Sequence, residues 1–161
     1  MKKRKYKLSK IKKLYLNKDA LHNWKHILNL KRNVKILRKT TKNIDEDLLE
    51  FLTAFHGVKD YFRAHKEEFS KLISKRYLKS LLRKTPKKIE EKLVYDANML
   101  ENTGKEGIRK AKAYGKLCGR KKEETIEYLK EKLKEAKFYT KEGKRIGKKK
   151  IALMKKLIEL R

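Results

Sequence analysis

Apolar residues recur every three or four positions along nearly the whole sequence, and this spacing places them on one face of an α-helix. The clearest example is the segment 21–37, in which Trp24, Ile27, Leu30 and Val34 keep the interval. No segment shows the alternation of apolar and polar residues that is typical of a half-buried strand. Only one proline and seven glycines interrupt the pattern. The sequence therefore predicts an all-α, single-domain bundle of about seven helices.

Several helix ends can be placed from residues that favour them. Asn43 is predicted to cap a helix, because Glu46 follows three residues later and completes a capping box. That helix is apolar nearly all round, and we expect it to be buried and to end at Gly57. Segment 65–83 has the spacing of one continuous helix. Thr140 is predicted to cap the last helix.

The charge balance is strongly positive and indicates a polyanionic partner. The chain carries 49 Lys and Arg residues against 20 Asp and Glu residues, a formal net charge of +29. Such a field attracts nucleic acid first and anionic membranes second. An AT-rich genome also favours lysine, but that bias would raise glutamate as well, and glutamate falls far short of lysine. The densest basic runs are 2–13 and 141–156, so we expect nucleic acid or a nucleotide as partner.

The chain is expected to be organised as a short arm and one domain. Residues 1–18 are predicted to form a basic N-terminal arm or helix, and residues 19–161 the all-α domain. No apolar stretch reaches the length of a membrane span. The single cysteine, Cys118, cannot form an internal disulfide, and this fits a reducing, cytoplasmic setting. Tyr6, Tyr15 and Tyr139 lie within basic stretches, where they could stack on bases or pack in the core.

Three histidines and one aspartate are candidates for chemistry. His22 and His26 are four residues apart and share a helix face, and His56 ends the buried helix. Asp96 lies in an otherwise apolar helix, where a carboxylate needs a partner. Such residues, brought together from separate helices, are one route to a divalent-metal site. The alternative is that the histidines are packed or solvated and that Asp96 caps or links helices.

Three segments of the sequence resemble a known family. They are the run from His22 to Ile27, the buried helix that ends at His56, and the run 94–109, which is followed by Tyr114 and Gly115. Together they resemble the HD superfamily of metal-dependent phosphohydrolases, in the branch of small single-domain nucleotide hydrolases. The late motif of that branch reads roughly D-A-D-x-L-D-x-x-G-x-x-G-I-x-R. The resemblance covers the chain from about residue 20 and implies an HD-like helical core.

The resemblance also implies a metal site. Carried over to this chain, the ligands of a divalent ion such as Mn, Mg, Ni or Fe would be His26, His56 and Asp96, with Asp96 also in the catalytic role. The aspartate that follows the second histidine in the family is replaced by Gly57, which removes a group that helps to activate the attacking water. Asp60 matches the second acid of the family's H-D-I-x-D run and is a candidate to assist in catalysis.

Further positions follow from the same comparison. Asn23 and Asn98 stand where the branch usually has aspartate, and Glu101 also replaces an aspartate. His22 and His65 are expected to contact the ligands or the substrate. The candidates for binding phosphate are Lys25, Lys59, Arg63, Lys105 and Arg109.

Two functions of different classes fit these observations. The first is a metal-dependent phosphohydrolase that acts on nucleotides or nucleic-acid phosphoesters and is impaired by the loss at Gly57. The second is a non-catalytic nucleic-acid-binding protein on a degenerate HD scaffold, which makes direct use of the positive charge. Docking onto a larger ribonucleoprotein through the basic arm is a variant of the second function.

Overall fold

The computed structural model describes residues 8–18 and 23–159 of the chain, and these residues form an all-α fold without strands. The ten α-helices are α1 (Leu8–Lys13), α2 (Trp24–Leu37), α3 (Glu46–Ala54), α4 (Lys59–Ala64), α5 (Lys66–Leu72), α6 (Lys75–Leu82), α7 (Ile89–Glu101), α8 (Gly104–Leu117), α9 (Lys122–Glu135) and α10 (Lys141–Glu159). The expected fold class is confirmed. Among the described helices, none is both long and apolar enough to span a membrane.

The described residues contain ten helices rather than about seven, because α1 and α4 add to the expected set and one expected helix is divided in two. Segment 65–83, expected as one helix, is two helices. Ser74 caps the second of them, since its hydroxyl accepts a hydrogen bond from the amide of Tyr77 at 3.3 Å. Gly57 does not stop the buried helix abruptly. It lies in a 3₁₀ turn, His56–Val58, that leads directly into α4.

The start of α3 differs by two residues from the expected cap. Asp45, not Asn43, is the cap, and its carboxylate accepts a hydrogen bond from the amide of Leu48 at 3.0 Å. Asn43 instead adopts a positive φ of 55°, a conformation that asparagine tolerates better than most residues. The amide of Asp45 donates to Glu90 on α7 at 2.8 Å, so this cap also joins two helices.

The central helix is α7, which packs against α2, α3, α8 and α10. Its residues Leu93 and Ala97 are fully buried in a large main core that is built chiefly from α2, α3 and α7. A second, smaller group of buried side chains lies between α8, α9 and α10. This C-terminal cluster consists of Ile108, Ala111, Leu129, Met154 and Ile158. The bundle therefore has two apolar centres.

Helix α1 is packed onto the main core. Ile11 and Tyr15 are buried in it, and the Tyr15 hydroxyl donates to the carbonyl oxygen of Ala54 at 2.6 Å. Burial raises the pKa of the Tyr15 phenol well above its usual value. Of the two roles open to Tyr15, core packing is the one observed. Residues 1–7, with most of the basic run 2–13 and Tyr6, lie outside the described residues, and the boundary at residue 18 stays a prediction.

Asp96 joins α7 to the start of α10. Its side chain is fully buried, and its two oxygens accept hydrogen bonds from the amide of Tyr139 at 2.9 Å and from the amide and hydroxyl of Thr140, each at 2.7 Å. The Thr140 hydroxyl oxygen in turn accepts from the amide of Gly143 at 3.0 Å, so Thr140 caps α10 as predicted. A Cβ at position 143 would lie 2.2 Å from an Asp96 oxygen, which explains the glycine there.

We expect Asp96→Asn to lower the free energy of unfolding by about 2–3 kcal/mol, because an amide has one acceptor oxygen for three buried donors. Urea denaturation at neutral pH measures the change. Asp60→Asn is the matched control: its side chain is 85% exposed and pairs only with Arg63, so a change below about 0.5 kcal/mol is expected. Equal effects of the two substitutions would contradict this account of Asp96.

Candidate functional site

His26 is held in the first turn of α2 by the residue that caps the helix. The carboxamide oxygen of Asn23 accepts a hydrogen bond from the backbone amide of His26 at 3.2 Å. The His26 side chain is 4% exposed. Asn23, one of the positions at which the family has aspartate, therefore serves as a helix cap in this chain.

A buried carboxylate fixes the ring of His26. Nδ1 of His26 lies 2.7 Å from Oε2 of Glu101, the last residue of α7. The other oxygen of Glu101 accepts a hydrogen bond from the side-chain Nδ2 of Asn29 at 3.2 Å and lies 3.3 Å from Nζ of Lys110 on α8. We call His26, Asn29, Glu101 and Lys110 the Glu101 network. It joins three helices through one carboxylate.

The charge state of Glu101 settles the direction of its bond with His26. Burial opposes ionisation of this carboxyl, but the hydrogen bond from His26, the charges of His26 and Lys110 and the hydrogen bond from Asn29 together lower its pKa to about 2. An ionised carboxylate only accepts hydrogen bonds, so Nδ1 of His26 carries the proton and donates it. This is the orientation that carboxylates impose on metal-binding histidines, with Nε2 left as the ligand atom.

The two histidines predicted to act together lie close together. The ring of His56, on the 3₁₀ turn after α3, has its centroid 5.6 Å from that of His26. Both side chains line the same cavity, together with Asn98. Asp96 lies elsewhere, because its oxygens bind the start of α10. Two residues along a helix correspond to a rotation of about 200°, so Asp96 and Asn98 point in different directions.

The residues around the histidines do not fit a divalent metal ion. Within residues 8–18 and 23–159, no group of three or more His, Cys, Asp or Glu side chains is placed to hold a metal. Of the expected set of His26, His56 and Asp96, the structure brings the two histidines together, and the oxygens of Asp96 bind the start of α10. Metal binding by this set of three stays a prediction. The neighbouring positions supply no carboxylate, since position 57 is glycine and position 98 is asparagine.

Asp60 and two other expected residues lie away from this cavity. Asp60 is exposed on α4, where it forms an ion pair with Arg63 one turn later. His65 is exposed at the end of the same helix, and its Nδ1 lies 2.9 Å from the carbonyl oxygen of Tyr61. The structure therefore does not bring Asp60, Arg63 or His65 together with the paired histidines.

The remaining expected residues are scattered. Lys59 lines a separate small cavity of about 50 Å³, which it shares with His56 and Arg83. Burial and the nearby charge of Arg63 lower the pKa of Lys59. Lys105 is exposed in the first turn of α8. His22 lies outside the described residues.

The paired histidines open onto a cavity of about 460 Å³, which we call the main cavity. Its size is in the range that small-molecule ligands require. The lining is mixed, and its members include His26, His56, Tyr95, Asn98, Asn102, Lys110, Tyr114, Tyr128, Lys132 and Glu135. The single acid in that group, Glu135, is bound to Lys132 at 2.6 Å. The cavity therefore combines aromatic rings with cationic and amide donors.

A second cleft of about 250 Å³, the basic cleft, adjoins the main cavity. The two share His26, Lys110 and Tyr114. Lys25 and Arg109 line the basic cleft, so the structure brings together two of the five residues expected to bind phosphate.

Lys110 was not among the expected residues, although the sequence carries a signal for it. Counting G-I-x-R from Gly107 puts the arginine of the motif at position 110, one residue after Arg109. In the structure Lys110 contacts Glu101 and donates a hydrogen bond to the side-chain oxygen of Asn102 at 3.1 Å. Position 110 thus keeps a cation at the boundary between the main cavity and the basic cleft.

Comparisons with known proteins identify the fold. No protein-family model matches the sequence, and no curated protein sequence matches it. Among solved structures, the Lin1889 protein of Listeria innocua matches at 22% identity, with 95% of this chain and 89% of that chain covered and a TM-score of 0.68. Bacillus subtilis YpgQ in complex with ADP matches at 16% identity, with coverage of 95% and 89% and a TM-score of 0.71.

A third similar structure is an HD-superfamily hydrolase from Bacillus thuringiensis, at 20% identity, with 95% of this chain and 91% of that chain covered and a TM-score of 0.70. These identities establish the fold and no more. The chain therefore has the helical fold of these three structures.

We expect Glu101→Gln to reduce stability at neutral pH and to flatten its dependence on acid. Because the pKa of Glu101 in the folded protein lies below that of an unfolded carboxyl, its ion pair stabilises the fold above about pH 5, and this contribution is lost as the pH falls toward 2. Urea denaturation between pH 7 and pH 3 measures both effects. Glu127→Gln, which removes an exposed pair with Lys130, is the control and should follow the wild type. An unchanged pH profile in Glu101→Gln would contradict the role of the network.

Proposed function

We propose that this chain is a non-catalytic binding protein on an HD-like scaffold, and that it binds a nucleotide, or the phosphorylated end of a nucleic acid, without a metal ion. One observation carries the proposal. The paired histidines, His26 and His56, face a cavity whose neighbouring positions hold Gly57, Asn98 and Lys110 instead of a set of carboxylates. Such a lining repels a divalent cation and attracts an anion.

The cavity and the cleft suit the two parts of a nucleotide. The rings of Tyr95, Tyr114 and Tyr128 line the main cavity, and aromatic faces are favourable surfaces for a base. Lys25 and Arg109 in the basic cleft are the groups for the phosphates, and Lys110 stands between the two parts. The ADP bound to the similar scaffold of YpgQ supports a nucleotide as ligand.

The family resemblance favours metal-dependent phosphoester hydrolysis. The similarity in fold to an HD-superfamily hydrolase also supports this function. The side chains available as metal ligands around the paired histidines are evidence against it. A water molecule becomes a nucleophile at neutral pH when a metal ion lowers its pKa, and the residues present do not provide the carboxylates for that ion. We therefore assign binding, not turnover, to this site.

Nucleic-acid binding on the outer face of α10 is a second candidate function. Seven basic residues lie exposed along this 19-residue helix: Lys141, Lys144, Arg145, Lys148, Lys149, Lys155 and Lys156. Their spacing of three, four and seven residues puts them on one stripe, opposite the buried residues Gly143, Gly147, Met154 and Ile158. The stripe is long enough to follow several phosphates of one strand.

We expect ADP to bind the wild-type protein with the same affinity in EDTA as in Mn²⁺, and to remain unhydrolysed. Lys25→Gln with Arg109→Gln should weaken ADP about tenfold or more, because two charge-assisted phosphate contacts are lost. Isothermal titration calorimetry measures the affinity, and chromatography of the nucleotide tests hydrolysis. Lys35→Gln, an exposed substitution on the same helix as Lys25, is the control. Strict dependence of binding or turnover on the metal would contradict the proposal.

We expect duplex DNA and RNA to bind with an affinity that falls steeply with salt, at a slope of about −0.9 for each phosphate neutralised on duplex DNA. Replacing Lys144, Lys148 and Lys155 by glutamine should lower this slope by about two to three. Fluorescence anisotropy across a salt series measures it. The same number of substitutions at Lys31, Lys35 and Lys39 is the control. If both triple variants changed the slope equally, the α10 stripe would have no special role.

A further inference from the structure

Another cavity, in the C-terminal part of the bundle, belongs to neither the main cavity nor the basic cleft. It occupies about 270 Å³ between α8, α9 and α10. Its wall is aliphatic, with Ile108, Leu129 and Ile158 from the buried C-terminal cluster and the half-buried Ile126 and Leu157 beside them. The paired histidines are not part of this wall.

The rim of this cavity is cationic. Lys112, Lys116, Arg120 and Lys122 line it, and none of its lining residues in the described chain is acidic. Three of these cations come from α8 and the turn after it, and the fourth begins α9. The lining therefore places four positive charges around an aliphatic cavity.

Arg120 is the cation of this rim that neighbouring aromatic side chains hold in place. The guanidinium lies 4.6 Å from the centre of the Tyr128 ring and 5.9 Å from that of Tyr114, and these contacts hold it in place. A carboxylate is the acceptor that a guanidinium fits best.

We propose that this cavity binds a medium-chain fatty acid, with the carboxylate on Arg120 and the alkyl chain against Ile108, Ile126 and Ile158. The size of the cavity sets the chain length, since an apolar cavity of about 150 Å³ already holds benzene. The larger volume here accommodates an alkyl chain of several more carbons. The cationic rim selects an acid over an alcohol, and the aliphatic wall selects it over inorganic phosphate.

Chain length tests the aliphatic wall. Butyrate, hexanoate and octanoate are titrated into the full-length wild-type protein at physiological salt, with calorimetry as the readout. Each methylene that enters the cavity should raise the affinity about fourfold, so octanoate should exceed hexanoate by more than tenfold. ¹H–¹⁵N NMR of the same samples should shift the amides around Ile126 and Leu157. An affinity that does not depend on chain length, or shifts confined to the main cavity, would overturn the proposal.

Charge substitutions test the rim. Arg120→Gln should weaken octanoate about tenfold and leave 1-octanol unchanged, because only the acid uses the guanidinium. Lys134→Gln, which removes an exposed charge elsewhere on α9, is the control for general attraction to a protein of charge +29. Lys116→Gln is the second variant, on the exposed rim, where no structural role is expected. If octanol bound as tightly as octanoate, or if Lys134→Gln weakened octanoate as much as Arg120→Gln and Lys116→Gln, the site would not exist.

Discussion

A buried carboxylate must find partners for its charge, and the bundle depends on two of the four buried carboxylates of α7. Asp96 accepts three hydrogen bonds from the start of α10, and Glu101 at the end of the helix binds His26, Asn29 and Lys110. The first carboxylate fixes the last helix against the core. The second joins α2 to α7 and α8. Charge thus fastens the central helix near its middle and at its C-terminal end, alongside the apolar packing of Leu93 and Ala97.

The partners of these two carboxylates also determine which chemistry the site can perform. A carboxylate bound to one ring nitrogen is the usual partner of a metal-binding histidine, and Glu101 binds Nδ1 of His26 in this way. The ring of His56 lies beside that of His26. The carboxylates that would accompany the histidines are missing, because Gly57 has no side chain and Asn98 is an amide. What remains is a cavity with amide, aromatic and cationic lining that continues into the basic cleft. The paired histidines therefore lie beside a cavity whose lining favours an anion over a divalent cation.

Periodicity predicted the fold class and the apolar faces, because burial of whole helix faces depends on spacing alone. It could not predict the break at Ser74 or the cap at Asp45, since either depends on which of several polar side chains reaches a backbone amide. The motif placed His26 and His56 together but gave no sign of which residues bind Asp96. Its partners, Tyr139 and Thr140, are more than forty residues away in sequence. Lys110 could have been identified from the motif, because the arginine position of G-I-x-R, counted from Gly107, falls at residue 110.

The central claim is that the residues at positions 57 and 98 leave the paired histidines without the carboxylates that a divalent metal ion requires. Its most direct test is a calorimetric titration of Mn²⁺ into the wild type and into a variant that carries both Gly57→Asp and Asn98→Asp. The account predicts no stoichiometric binding by the wild type and one Mn²⁺ bound by the double variant, in a manner that His56→Ala abolishes. Binding of one Mn²⁺ by the wild type, abolished by the same His56→Ala substitution, would contradict it.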